Sequence, residues 1–165
     1  SNSMLRAVAR LARNGPKLYG ENVYQASRID SFLDASLVFA RDSQKYLFGL
    51  MGKGLSAELN DAMVKAFDTY LSGIEATLGT GREYLVGDAI TCADICFAAE
   101  LVLFALSRSE KDRIEAAGCV VLFDDQVGER FPHAIRHFDK LLALPAFTPD
   151  LRAYHTDMTL AKFLG

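Results

Sequence analysis

Between Ile95 and Leu106 the chain carries a single charged residue, Glu100. A helix that is apolar on nearly every side is buried on nearly every side, so any fold open to this chain must close around that stretch. It is too short to span a bilayer, which takes about 20 apolar residues. The residues before it form a helix start. Thr91 is an N-cap whose hydroxyl can accept from the Asp94 backbone N–H, and Asp94 at the third helical position can reach back to the Thr91 N–H. Ile90 and Ile95 occupy the two positions of a hydrophobic staple. These signals predict a central helix over about 91–106, with other helices packed around it.

Helical periodicity accounts for most of the remaining chain. A first helix over 1–13 gathers Met4, Leu5, Val8, Leu11 and Ala12 on one face, and Asn14-Gly15-Pro16 stops it. From Asn22 to about Met51 a long helix shows two apolar stripes. One is Ala26, Ile29, Leu33, Leu37, Ala40, Leu47 and Met51; the other is Phe32, Ala35, Phe39, Tyr46 and Leu50. One stripe faces the core, and the second either widens that face or meets a dimer partner or a substrate cleft. Arg28, Asp30 and Asp34 form a polar edge. Ser56 caps a helix that runs to about Leu78 and completes an αα-hairpin. After the central helix, Ser107 and Glu110 have capping-box spacing and open a short charged helix that Gly118 stops. The 107–130 segment is then either buried against the core or an exposed docking loop. Pro132 opens a helix with Ile135, Phe138, Leu141 and Leu142 inward, and Thr148-Pro149 starts a last one with Leu151, Tyr154, Met158 and Leu160 or Ala161 inward.

Composition narrows the function classes. At 165 residues and a net charge of −3, with no basic cluster, the chain has no nucleic-acid footprint. It has no apolar run of membrane-spanning length. Cys92, Cys96 and Cys119 lack a C-x-x-C spacing and read as buried reduced thiols, in keeping with a cytoplasmic location. His133 and His137 stand at i,i+4, but no Glu follows the first and no third ligand is identifiable, so no metal site is expected and both read as surface or cap histidines. Glu100, if buried, would have a raised pKa; otherwise it lies on the one polar edge of its helix.

The run Leu85-Val86-Gly87-Asp88-Ala89-Ile90-Thr91, followed by Ala93-Asp94-Ile95, resembles the signature of the C-terminal domain of glutathione S-transferases. In that family it is a folding element, a capping box and staple in the core. The resemblance implies an all-α fold, a glutathione S-transferase C-terminal-like helical bundle over residues 21–165. Ser1-Asn2-Ser3-Met4-Leu5-Arg6 resembles the opening of the last helix of the thioredoxin-like N-terminal domain, or Ser1-Asn2-Ser3 is a cloning scar. On the first reading residues 1–14 are the terminal helix of a mostly absent domain and residues 15–20 a linker. Leu18-Tyr19-Gly20 is similar to the linker of the elongation factor 1 gamma family, as is the 87–95 run. Arg136-His137-Phe138 and Leu144-Pro145-Ala146-Phe147 stand where the family often has Arg-Trp and its x-Pro-x-Phe end; Trp is absent here.

Two function classes follow from the resemblance. The first is a non-catalytic assembly domain of the translation machinery, as in elongation factor 1 gamma, forming a homodimer or binding protein partners through its helix faces. The second is the C-terminal half of a transferase that conjugates glutathione or a related thiol to hydrophobic electrophiles, with Phe39, Arg41 and Tyr46 as substrate-wall or interface residues. In the family the Ser matching Ser1 helps hold the γ-glutamyl carboxylate of glutathione, and the thiol-activating residue lies in the first domain. No catalytic residue is assigned, and these 165 residues alone are expected to turn over no model electrophile.

Overall fold

The computed structural model describes residues 2–12, 15–52 and 54–164. Their regular structure is helical throughout: α1 (Asn2–Leu11), α2 (Val23–Met51), α3 (Ala57–Leu78), α4 (Cys92–Phe104), α5 (Lys111–Ala116), α6 (Val127–Arg130), α7 (Pro132–Leu142), α8 (Ala153–Asp157) and α9 (Leu160–Leu164). The central helix lies where the sequence puts it. Phe97, Ala98, Leu101 and Phe104 of α4 are fully enclosed, with α1, α2, α7 and the C-terminal turns around them. Burying each such large side chain is worth about 1.5–3 kcal/mol, so α4 is the element the others are built against.

Side chains cap the starts of α2, α3 and α4. Asn22 accepts from the Gln25 N–H at 2.9 Å and Ser56 from the Leu59 N–H at 3.1 Å. At α4 the capping box is complete: Asp94 accepts from the Thr91 N–H at 2.8 Å, and the Thr91 hydroxyl oxygen accepts from α4 backbone N–H groups. Leu85, Val86 and the half-buried Ile90 pack with the core.

Residues 15–20 are fastened to the helices that follow. The Leu18 carbonyl accepts from the Cys92 N–H at 2.8 Å, and the Tyr19 hydroxyl donates to Asp30 at 2.6 Å. Gly20 ends this stretch at φ +83°, where a Cβ would sit 2.7 Å from that of Gln25. Both the backbone angle and the contact require glycine.

Of the apolar face of α1, only Leu5 is partly buried; Met4, Val8 and Leu11 are 64%, 66% and 76% exposed, and Ala9 is the buried residue. The helix docks instead through polar contacts. Asn2 donates to the Leu33 carbonyl at 2.7 Å, and Arg6 bridges Asp30 at 2.6 Å and Asp34 at 3.2 Å. Asn14 and Arg13, read as the end of this helix, lie outside the described residues, as does Lys53 in the break after α2. On α2, Leu37 of the first stripe is exposed, because the buried arc runs through Leu33, Ser36, Phe39 and Ala40.

The Ser107–Glu110 box does not form. The chain leaves α4 without a break, tightening into a 3₁₀ turn over Ala105–Glu110, so Ser107 is buried inside a helical run rather than at its start. Beyond it, Ile114, Leu122, Phe123 and Val127 are buried, which decides the 107–130 segment as core packing, with Val120 left outside. The last helix is broken. A π turn over Thr148–Arg152 leads into α8, and an extended Met158 separates α8 from α9.

Candidate functional site

Where α2 and α3 lie side by side, small residues leave a groove. Ala35, Ala62, Ala66 and Gly73 keep the walls low, and Phe32 and Val38 supply apolar surface. Phe39 and Tyr70 form the floor, their rings stacked at 4.6 Å and 14°. The volume is about 580 Å³, within the range of small-ligand sites. Charge is confined to the rim. Arg41 forms a two-pronged pair with Asp42, at 2.9 and 2.8 Å, and Lys65 stands opposite on α3. The hydrogen bonds from Arg41 hold the Asp42 carboxyl below its ordinary pKa. The groove is thus an apolar floor with both signs of charge at its edge. No nucleophile–base pair lines it.

The residues nominated from sequence do not come together. Arg41 is exposed at the groove rim. Phe39 is 1% exposed and reaches the groove only as its floor, and Tyr46, also 1% exposed, lies outside it in the core. Each turns toward the same neighbour, Phe104 of α4, at 5.7 and 5.9 Å between ring centroids. The Tyr46 hydroxyl is buried without a partner among the described residues, and burial pushes its pKa up to about 12. Ser1 lies outside the described residues, so no contact of this chain with glutathione is derived.

Thr91 and Asp94 do more than cap. Asp94 is fully buried and accepts from the Leu85 N–H at 3.0 Å, from both the N–H and hydroxyl of Thr91, and from His137 Nε2 at 2.9 Å. His137 is therefore no surface histidine. Its ring stacks on Phe97 at 6.1 Å and is enclosed between α4 and α7. Sequence reasoning also missed Glu75 of α3. Its carboxylate accepts from the backbone N–H groups of His133 and Ala134, at 2.9 and 2.8 Å, and so caps α7 from another helix. Glu100 is half-buried, and desolvation raises its pKa. Among the described residues no group of His, Cys, Asp or Glu is placed to hold a metal, and no helix is long and apolar enough to cross a membrane.

Over residues 57–155 the chain matches the family described as glutathione S-transferase, C-terminal domain. It is similar to an elongation factor 1-gamma of Trypanosoma cruzi, 35% identical over 103 residues that make up 61% of this chain and 24% of the relative. The chain thus spans about a quarter of that curated relative's length. Among solved structures it is similar to NaGST-2, at a TM-score of 0.62 and 19% identity, covering 95% of this chain and 67% of the other. A major nematode-specific GST of C. elegans superposes at 0.63 with 20% identity, over 96% and 67%. At these identities the structural likeness establishes the fold.

Proposed function

This chain belongs to the glutathione S-transferase C-terminal domain family, and on that premise we propose that it is a non-catalytic assembly domain that pairs with a second copy of itself through the α2–α3 groove. One observation carries the reading. The aromatic side chains a substrate wall would use, Phe39 and Tyr46, are taken up by the core, while exposed apolar surface runs along the groove at Val38 and Ala35. A two-fold contact lays one patch against itself. A rim carrying Arg41 and Lys65 as well as Asp42 suits that arrangement, because each charge can meet its opposite. The name of the Trypanosoma cruzi relative extends the proposal to a place in the translation machinery. The free thiols Cys92, Cys96 and Cys119 suit the reducing cytoplasm.

The exposed stripe of α1 fits the same scheme. Met4, Val8 and Leu11 form the surface that a preceding thioredoxin-like domain would cover, with residues 1–14 as that domain's last helix and residues 15–20 as the linker.

Sedimentation velocity tests the pairing. The protein is expected to sediment as a dimer at about 10 μM, an ordinary affinity for a standard-sized interface. Val38→Asp, which places a charge in the groove without touching the core, is expected to make it a monomer. A wild-type protein still monomeric at about 100 μM, or a Val38→Asp dimer, would overturn the proposal.

A further inference from the structure

A second cleft, of about 460 Å³, opens where the first turns of α2, the end of α3 and the 82–87 approach to α4 meet. It shares no residue with the α2–α3 groove. Its floor is the buried pair Leu85 and Val86. Its polar lining is rich in donors. The Asn22 side-chain oxygen is taken by the Gln25 N–H and the Gln25 side-chain oxygen by the Glu21 N–H, at 2.9 and 2.8 Å. A backbone N–H fixes the orientation of each amide, so the NH₂ groups are what remain for a ligand. Gly87, at φ +72°, keeps the cleft open; a Cβ there would press to 3.2 Å from the Gln25 Nε2.

Two guanidinium groups complete the set, Arg28 and Arg82, and no Asp or Glu lines the cleft. Arg6, Arg41, Arg113 and Arg130 each pair with a carboxylate, whereas Arg28 and Arg82, like Arg10, Arg108, Arg136 and Arg152, do not among the described residues. Arg28 only lies over the Phe32 ring, 5.6 Å from its centroid, and Arg82 has no carboxylate partner among the described residues. The acids closest to them in the chain are engaged: Asp30 with Arg6 and Tyr19, Glu83 with Lys140. Tyr24, 73% exposed, sets an aromatic ring at the same cleft.

We infer that this cleft binds a small aromatic phosphomonoester. The two arginines and two amide NH₂ groups take the dianionic phosphate, and Tyr24 with the Leu85–Val86 floor takes the ring. Arginine forks match phosphate oxygens two at a time. A phosphomonoester is a dianion above about pH 6, which equals the charge of the two arginines.

Calorimetric titration of the 165-residue protein with phenyl phosphate at low salt and pH 7.5 tests this. The expected result is one site per chain. Arg28→Gln or Arg82→Gln each weaken binding about tenfold. Arg136→Gln, outside the cleft, leaves it unchanged. Inorganic phosphate, lacking the ring, and benzoate, a monoanion, are each expected to bind about tenfold more weakly. Absence of binding, or binding that survives both cleft substitutions, would overturn the site. Benzoate or inorganic phosphate matching phenyl phosphate would overturn the ligand class. Should a variant not fold, loss or retention of the phenyl phosphate shift at the wild-type Gly87 amide resonance decides the location.

Discussion

Replacing Asp94 by Asn changes one atom in the core and tests how α4 is held. The two carboxylate oxygens divide their work. Oδ1 accepts from the Leu85 N–H and from His137 Nε2, and Oδ2 accepts from the Thr91 N–H and hydroxyl. An amide keeps one acceptor and turns the other into a donor. With the oxygen toward Leu85 and His137, the NH₂ group meets the Thr91 N–H, and a buried backbone donor loses its partner. With the amide flipped, the Leu85 N–H loses its partner instead. A buried donor left unpaired costs about 1–3 kcal/mol, and hydrogen bonds to a charged acceptor sit at the upper end. The expected destabilisation is therefore about 2–3 kcal/mol. With a urea dependence of about 1–3 kcal/mol/M, the unfolding midpoint should fall by about 0.7–3 M. Far-UV circular dichroism follows the transition, since the described fold is helical. Thr91→Ser, which keeps the hydroxyl, should stay within about 0.5 kcal/mol. A cycle of Asp94→Asn with His137→Phe should show coupling of about 1 kcal/mol. An Asp94→Asn midpoint within about 0.3 M of wild type would refute the claim that these four contacts hold the helix start.

Glu75→Ala removes the side chain that caps α7 from α3, and should cost about 1–2 kcal/mol by urea unfolding, with Glu75→Gln losing less. His155 gives a pH dependence. Burial, and secondarily the Arg108 guanidinium, lower its pKa to about 4. The unfolded chain takes up that proton below about pH 6.5 and the folded one only near 4, so stability is full above the first value and drains away as pH falls to the second. The loss should be about 2 kcal/mol after allowance for partial exposure. Glu100 and Asp139, both raised by burial, act in the opposite sense, so the comparison of wild type with His155→Gln across pH 7 to 4 isolates the histidine. Cys119, half-buried, should react with Ellman's reagent in the native protein. Cys92 and Cys96, buried and with pKa values raised by burial, to about 11 for Cys96, should react only after unfolding.

What the sequence disclosed was local. Ser56 and Thr91 cap groups two or three residues away, and each is formed; Asn22, read only as the start of α2, caps it as well. The all-apolar α4 could only be central, because every orientation of it needs burial. Contacts between distant residues carried no such signature. Glu75 reaches residues 58 and 59 positions on, and His137 meets Asp94 across 43. Periodicity reports that a helix has an apolar stripe and not what covers it. The stripe of α1 is a case in point: Met4, Val8 and Leu11 stand outside. Periodicity also leaves open whether Phe39 and Tyr46 widen the core face of α2 or form a second surface. A partner as large as Phe104 widens the arc that a helix buries, and only the packed structure reveals that width.

The bond from the Cys92 N–H to the Leu18 carbonyl makes residues 15–20 a working part of the helix they precede by more than seventy positions. With Tyr19 on Asp30 and Arg10 lying 4.4 Å over the Tyr19 ring, α1, residues 15–20, α2 and α4 share one clasp. A unit cut by sequence at residue 21 would start its folding with the first amide of its central helix bare. A unit recombined by fusion upstream of Leu18 would inherit a fixed bearing: whatever is joined there is aimed by the core rather than left to swing on a tether.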